Sequence, residues 1–238
     1  MSRMSDAYFD AVTELLRTVR DAERERIDTA AETTAAALAA GHRLFAFGSS
    51  HSALPVQDIV YRAGGLMLVN PLLAPGLTGV ETRPATLGTA LERLPGLASA
   101  LLDNGPVREG DVLIVVSVSG RNALPVEIAE LAVARGLTVL AVTSRAYETR
   151  LADVAHVVLD NHVPVGDAIL SDPSVPEPFC ATSGVIVSAL LQALTAAIIE
   201  RLLARGLTPP VFRSVNLPGG ADHNTQLLET NADRIFYL

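Results

Sequence analysis

The sequence predicts an α/β fold in which helices cover both faces of a parallel sheet. Short and nearly continuous apolar runs alternate along the chain with longer segments of helical periodicity. A strand that is buried on both faces carries apolar residues at consecutive positions, and helical crossovers between such strands keep them parallel. The chain has 238 residues, of which 49% are hydrophobic, so it is long enough to bury a complete core without disulfides.

The first 40 residues are predicted to form one or two helices. Apolar side chains recur at helical spacing between Tyr8 and Val19. Residues 30–40 are rich in alanine, which has the highest helix propensity of all residues. Gly41 follows directly, as is typical of the end of a helix.

Five strands and four further helices are predicted after this segment. The strands cover residues 44–47, 66–69, 111–116, 137–142 and 154–159. The helices cover residues 53–62, 87–102, 124–135 and 182–203. Glycines mark three of the helix ends, at Gly64, Gly136 and Gly206, and Pro55 is tolerated because it falls in a first turn.

We expect the whole chain to form a single domain, residues 1–238. Neither an internal repeat nor an interdomain linker interrupts the pattern. Within that domain, residues 1–40 form an N-terminal helical segment and residues 41–205 form the α/β core. Residues 206–238 form a polar tail that we expect to be docked on the core.

The composition argues against several classes of protein. The net charge is −8 and all 18 basic residues are arginines without a basic run, so we expect no nucleic-acid partner. The absence of lysine excludes Schiff-base chemistry and a P-loop lysine. The single cysteine, Cys180, is interpreted as core filler and indicates a reducing compartment. The N-terminus lacks the apolar segment of a signal peptide, and residues 181–199 are interpreted as a buried helix, so we expect a cytoplasmic protein outside any membrane.

Three of the predicted strands run into short turns rich in serine and threonine. These turns are residues 48–52, residues 117–122 and the pair Thr143 and Ser144. The carboxyl ends of parallel strands meet at one edge of the sheet, where ligands bind. Hydroxyl groups and the free N–H groups of the following helices favour an anion such as phosphate there. The alternative is that these side chains only cap helices.

We expect neither a nucleotide cofactor nor a metal. The first turn lacks the G-x-G-x-x-G pattern, and no acidic residue stands at the end of the second strand. No two of the five histidines have the spacing of metal ligands together with carboxylates.

The same turns resemble those of the sugar isomerase (SIS) domain. Further stretches resemble its UPF0309 branch: residues 61–65 (YRAGG), 90–94 (ALERL), 209–212 (PPVF) and 222–224 (DHN). The resemblance covers nearly the whole chain. It implies a five-stranded, doubly wound, flavodoxin-like sheet and a homodimer or higher oligomer with the active site near the interface.

The resemblance also implies that the ligand is a phosphorylated sugar, with an amino sugar as our first choice. It carries ligand contacts over to Ser49, Ser50, Ser117, Ser119 and Thr143. The same turns add Ser52, Asn122 and Ser144 as candidates. Arg121 is added because it follows Ser119 and Gly120 as in the muramic acid 6-phosphate etherases; its alternative role is a salt bridge to Glu127 or to a partner subunit.

The resemblance raises the question of which residue is the base. SIS enzymes remove a proton from the carbon beside the sugar carbonyl. Phosphoheptose isomerases and the etherases use a glutamate at the place that Val60 occupies here, and valine cannot titrate. Glu92 aligns with an acidic stretch of the etherases, Glu81 lies in the loop before it, and Asp58 is a third candidate. The alternative for Glu92 is a solvated helix face paired with Arg93.

His51 and His223 are the candidate acid–base histidines. His51 lies inside the first serine-rich turn, where it can donate to a phosphate or to a sugar oxygen. His223 matches a C-terminal histidine that helps to open the sugar ring in related isomerases, sometimes across a dimer interface. The alternative for His223 is a surface residue beside Asp222.

Three functions remain open at this point. The first is a carbon–oxygen lyase that removes the C2 proton of an N-acetylglucosamine 6-phosphate-like sugar and expels the C3 substituent. Val60 and the etherase-like features around Arg121 and Glu92 favour it. The second is an aldose–ketose isomerase with a displaced base. The third is a phosphosugar sensor without catalytic activity.

Overall fold

The central feature of the computed structural model, which describes residues 3–73, 76–78 and 83–238, is a five-stranded parallel sheet. Its strands lie in the order β2-β1-β3-β4-β5, and every neighbouring pair is parallel. The strands are β1 (Leu44–Gly48), β2 (Val69–Pro71), β3 (Val112–Val116), β4 (Thr138–Thr143) and β5 (Val157–Asp160). The α/β class and the five-stranded parallel sheet are therefore confirmed.

The described residues also form nine helices and a two-stranded antiparallel hairpin. The helices before the third strand are α1 (Met4–Ala22), α2 (Arg24–Ala39), α3 (Ala53–Asp58), α4 (Ala85–Glu92) and α5 (Leu97–Asp103). The later ones are α6 (Ala123–Ala134), α7 (Arg150–Val154), α8 (Ser183–Ala204) and α9 (Gly220–Thr230). The hairpin strands are β6 (Ala168–Leu170) and β7 (Phe179–Ala181), and this hairpin was not predicted. Cys180 lies on β7 and is exposed, so its interpretation as core filler was wrong.

Two hydrophobic cores cover the two faces of the sheet. Side chains alternate along a strand, so Leu44 and Ala46 face one core while Phe45 and Phe47 face the other. The first core includes buried residues of α1, α2, α3 and α8, and the second includes those of α5, α6 and α7. Helices on both faces explain why the strands are apolar at every position.

The boundaries of four predicted elements were wrong. The predicted strand over residues 154–159 starts too early, because Val154 ends α7 and β5 begins at Val157. Helix α3 ends at Asp58 rather than at residue 62, and Tyr61 takes a left-handed conformation with φ of 46°. The second strand is Val69–Pro71, which starts where the predicted strand was expected to end. The single helix over residues 87–102 is two helices, because Pro95 lacks an N–H group and Gly96 is left-handed with φ of 85°.

The C-terminal tail contacts the edge strand β2. Asn70 donates from Nδ2 to the carbonyl of Arg234 at 2.9 Å and accepts from the N–H of Phe236 at 2.7 Å. Tyr237 donates its hydroxyl to the carbonyl of Met67 at 2.7 Å, and burial raises the pKa of that hydroxyl above its usual range. These hydrogen bonds hold the end of the tail next to β2.

One helix, α8, is long and apolar enough to cross a membrane by length and composition, the only such helix in the part of the chain that the structure describes. Its buried face, which includes Ile186, Leu190 and Leu194, lies in the first hydrophobic core. A core helix of this length passes the same composition test. The contacts of α8 are those of a core helix.

A buried ion pair joins the amino ends of β1 and β3. Asp111 is fully buried and accepts from the backbone N–H groups of Arg43 and Arg108, both at 2.9 Å. The Arg43 guanidinium donates to the same carboxylate at 2.7 Å and lies 4.9 Å from the ring centre of Phe236. The pair therefore fixes the start of two central strands and is contacted by the tail.

Replacing Asp111 with alanine is expected to lower the free energy of unfolding by about 3–5 kcal/mol, because Arg43 would remain buried without its counter-charge. Urea unfolding followed by circular dichroism measures the change. Glu14→Ala is the control, since Glu14 is exposed and pairs with the exposed Arg17; it should cost less than about 0.5 kcal/mol. Equal losses in the two variants would contradict the assignment.

Candidate active site

A cavity of about 330 Å³ opens at the carboxyl edge of β1 and β3. Its size lies at the lower end of the range of small-molecule sites. One side, which we call the sheet-edge wall, consists of residues 49–52, residues 116–119 and Asn122. A second group, which we call the α8 wall, consists of Gly166, Asp167, Ser183, Gly184 and Val187. Glu92, Pro55 and Tyr147 complete the lining.

The turn after β1 is folded tightly around Gly48. A Cβ atom on Gly48 would lie 2.2 Å from the carbonyl oxygen of Ser52, which is closer than any real contact. Ser50 takes a left-handed conformation with φ of 52°, and its N–H donates to the carbonyl of Leu77 at 2.7 Å. Glycine at position 48 therefore allows the turn to bend back and present its serines at the cavity.

The turn after β3 depends on a second glycine. Gly120 has φ of 59°, and its N–H donates to the hydroxyl of Ser117 at 3.2 Å. A Cβ atom there would lie 1.9 Å from Oγ1 of Thr149. The turn thus brings Ser119 and Asn122 to the cavity just before α6 begins.

Glu92 is held in the cavity by hydrogen bonds to both of its carboxylate oxygens. Ser49 donates its hydroxyl to Oε1 at 2.5 Å, and Asn122 donates from Nδ2 to Oε2 at 2.9 Å. Each carboxylate oxygen can accept two hydrogen bonds, so each retains capacity for another donor. Glu92 is the last residue of α4, and the two turns fix its position at the cavity rather than on a solvated helix face.

The sequence-predicted ligand contacts therefore fall into two groups. Ser49 and Asn122 contact Glu92, whereas the hydroxyls of Ser50, Ser52 and Ser119 have no hydrogen-bond partner within the described ranges. The exposed His51 also lines the cavity, and Ser117 lines it next to Ser119 on the sheet-edge wall. The free hydroxyls are available to a ligand.

Three predicted contacts lie outside the cavity lining. Thr143 and Ser144 are fully buried and donate to backbone carbonyls, of Val118 at 3.2 Å and of Val163 at 2.6 Å. A buried hydroxyl needs such a partner, so these two residues hold the loops after β3 and β5. Arg121 points away from the cavity and donates from Nε to the carbonyl of Glu148 at 3.1 Å.

The structure does not bring His223 to the cavity within one chain. A ring nitrogen of His223 lies 3.1 Å from the carbonyl oxygen of Val211, in the tail. Its predicted role would need a second subunit. Of the other candidate bases, Glu81 lies outside the described residues and Asp58 pairs with Arg62 at 2.5 Å.

Sequence reasoning missed Asp167, which lines the cavity at the base of the β6–β7 hairpin. Its Oδ1 accepts from the N–H groups of Thr182 and Ser183, at 3.0 and 2.8 Å, and its Oδ2 accepts from the Ser183 hydroxyl at 2.5 Å. It therefore caps α8. An N-cap normally stands directly before its helix, so a cap supplied across a hairpin leaves no local signal in the sequence.

Comparisons with known proteins agree with this architecture. The family model "SIS domain" matches residues 7–144. A UPF0309 protein of Streptomyces griseus is 50% identical over 99% of this chain and 98% of its own length. A UPF0309 protein of Shouchella clausii is 36% identical over 98% of both chains.

Solved structures of low sequence identity share the fold. A phosphoheptose isomerase of Neisseria gonorrhoeae superposes with a TM-score of 0.59 and 22% identity, covering 83% of this chain and 97% of its own. The NanR protein of Vibrio vulnificus, solved with ManNAc-6P, gives 0.52 and 16% identity over 98% of this chain and 70% of its own. Both similarities concern the fold.

The Gly48→Ala variant is expected to lose about 1–3 kcal/mol of unfolding free energy, because the new methyl group overlaps the Ser52 carbonyl. Gly184→Ala is the matched control: its Cβ meets open space within α8, so stability should stay equal or rise by up to about 1 kcal/mol. Denaturant unfolding of the two variants checks the expectation. A Gly48→Ala protein as stable as Gly184→Ala would contradict the tight-turn account.

Proposed function

This chain belongs to the SIS domain family and to its UPF0309 group, and from that premise we propose that it binds a phosphorylated sugar in the cavity and removes the C2 proton. The observation that carries the proposal is Glu92, a carboxylate fixed inside the cavity by Ser49 and Asn122. A base of this kind must lie within hydrogen-bond reach of the proton that it abstracts.

The sheet-edge wall supports binding of the phosphate group. The hydroxyls of Ser50, Ser52 and Ser119 are free donors within the described part of the chain, and α6 begins directly after Asn122. Hydroxyl donors and the positive end of a helix dipole stabilise an anion without a formal positive charge. The lining, as far as it is described, contains no arginine, so dipoles supply this stabilisation.

Glu92 supports the proton-transfer step. In an open-chain aldose phosphate the C1 carbonyl acidifies the C2 proton, and a carboxylate oxygen with spare acceptor capacity can take it. Ser49 and Asn122 restrict Glu92 to one position, which lowers the entropic cost of reaching the reactive geometry. His51 is the cavity residue able to return a proton to a sugar oxygen.

For the second half of the reaction we favour elimination on an N-acetylglucosamine 6-phosphate-like sugar. The C2–H bond breaks, the electron pair forms the C2–C3 double bond, and the C3 substituent leaves with its oxygen protonated by His51. Water is then lost when that substituent is hydroxyl. Val60, at the position of the glutamate that phosphoheptose isomerases and etherases share, packs against the core and cannot titrate, so either reaction needs another base, which we assign to Glu92.

Isomerisation is the second candidate. The phosphoheptose isomerase of Neisseria gonorrhoeae shares this fold over 97% of its own chain. The same abstraction by Glu92, with reprotonation at C1 as the next step, would give a ketose. The two reactions share the proton abstraction and differ in the fate of the electron pair that it leaves at C2.

Proton NMR in D₂O tests the proposal with a panel of N-acetylglucosamine 6-phosphate, glucosamine 6-phosphate, fructose 6-phosphate and sedoheptulose 7-phosphate. We expect deuterium at C2 of an aldose, or at C1 of a ketose, with at least one sugar. A new vinyl signal identifies a lyase, and interconversion of an aldose with a ketose identifies an isomerase. Saturable binding without exchange for any sugar would contradict the enzymatic proposal and favour a sensor.

Glu92→Gln is expected to lower the rate of C2 exchange by about 10²–10⁴-fold while changing sugar affinity only a few-fold, because the amide keeps the shape but cannot take the proton. Glu229→Gln, on the exposed face of α9, is the control and should retain the wild-type rate. Glu81→Gln tests the alternative base. Full activity in both Glu92→Gln and Glu81→Gln would refute the assignment.

Ser119→Ala and Ser52→Ala should each weaken sugar phosphate binding by about tenfold or more, because each removes a hydroxyl donor to a charged group. Isothermal titration calorimetry measures the dissociation constants. Ser5→Ala, exposed on α1, should bind like the wild type. If the two cavity variants also bind like the wild type, the phosphate does not lie on the sheet-edge wall.

A further inference from the structure

The α8 wall carries a negative charge that the proposed reaction does not use. Asp167 and Glu92 are the carboxylates of the cavity lining in the described residues, and Asp167 lies on the α8 wall, next to the β6–β7 hairpin rather than in one of the hydroxyl-rich turns. Its charge faces the same cavity that we propose to hold a phosphate dianion. The position of the charge therefore bears on which ligands can enter.

Asp167 is held rigidly by the first turn of α8. Its Oδ1 accepts from Thr182 and Ser183 N–H groups, and also lies 3.3 Å from Oγ1 of Thr182. The adjacent Gly166 donates its N–H to the Tyr147 hydroxyl at 2.7 Å, which fixes the backbone just before the carboxylate. Asp167 therefore stays at the wall of the cavity when a ligand binds.

The hydrogen bonds leave Asp167 with one carboxylate oxygen that can accept a further hydrogen bond. Its Oδ1 is saturated, whereas among the described residues Oδ2 accepts a hydrogen bond only from the Ser183 hydroxyl and can accept a further one. Two N–H groups at the start of α8, those of Thr182 and Ser183, already donate to this carboxylate. The Asp167 carboxylate is therefore a hydrogen-bond acceptor and a negative charge on the α8 wall, whereas the serine hydroxyls of the sheet-edge wall can donate.

We propose that Asp167 determines specificity by admitting sugars with one anionic group and excluding sugars with a second anionic group at the opposite end. The proposal rests on the phosphosugar function argued above. The phosphate lies on the sheet-edge wall, and the hydroxyl or amino groups of the far end of the sugar donate to Asp167. A second phosphate or a carboxylate at that far end would stand against a fixed like charge, which is strongly unfavourable in a partly desolvated cavity.

The test compares fructose 6-phosphate with fructose 1,6-bisphosphate, which differ by a phosphate at the opposite end of the sugar. Calorimetric titration of the wild type should give about tenfold or greater preference for the monophosphate. Asp167→Asn keeps the size of the side chain and removes its charge, so the preference should fall below about threefold because bisphosphate binding tightens. Asp172→Asn, on the hairpin loop outside the cavity lining, removes the same charge and should leave the preference unchanged.

A second test uses the wild type alone, so it does not depend on whether Asp167→Asn folds. Added sodium chloride screens charge repulsion but does not change steric exclusion. The ratio of the bisphosphate dissociation constant to the monophosphate dissociation constant should therefore decrease as the salt concentration rises. A preference that does not change with salt, or equal weakening of both sugars in a folded Asp167→Asn protein, overturns the proposal. Equal binding of both sugars by the wild type overturns this proposal alone. Binding of neither sugar overturns it as well, whereas the phosphosugar function itself fails only if none of the sugar phosphates of the NMR panel binds.

Discussion

The candidate site depends on the parallel pairing of β1 with β3, in which Gly48 lies opposite Val116. Since the two strands end at the same level, the turns after them emerge side by side, and each must bend sharply into a helix. The buried pair of Arg43 and Asp111 holds the amino ends of the same two strands. The register is thus fixed at one end by charge and at the other by the tight turn at Gly48. A shift of a single residue would move Gly48 away from Val116 and turn each side chain of the shifted strand to the other face of the sheet.

The serine-rich turns have two roles in this arrangement. Ser49, which is 2% exposed, donates its hydroxyl to Glu92, so it positions a carboxylate. The hydroxyls of Ser52 and Ser119 remain open to a ligand within the described residues. A phosphate and a carboxylate repel each other. Separate hydroxyl groups can stabilise the two anions, because each hydroxyl donates one hydrogen bond. The proposed phosphate site therefore relies on hydroxyl groups, since the described lining contains no arginine and the chain has a net charge of −8.

The fold and the sheet edge could be predicted because local patterns determine them: apolar runs form buried strands, and glycine and hydroxyl residues come directly after them. The features that were missed depend on contacts between distant segments. The hydroxyls of Thr143 and Ser144 match the ligand pattern, yet each is turned toward a carbonyl from another loop. Asp167 reaches α8 only because a hairpin folds back, and no short stretch of sequence encodes that cap. The role of His223 likewise depends on what lies outside a single chain.

The most direct measurement for the central claim is a crystal structure of the protein with N-acetylglucosamine 6-phosphate bound. The account predicts that the phosphate oxygens accept hydrogen bonds from the hydroxyls of Ser50, Ser52 or Ser119, and that C2 of the sugar lies within reach of the Glu92 carboxylate. A phosphate bound against the α8 wall, or a sugar whose C2 lies far from Glu92, would contradict it.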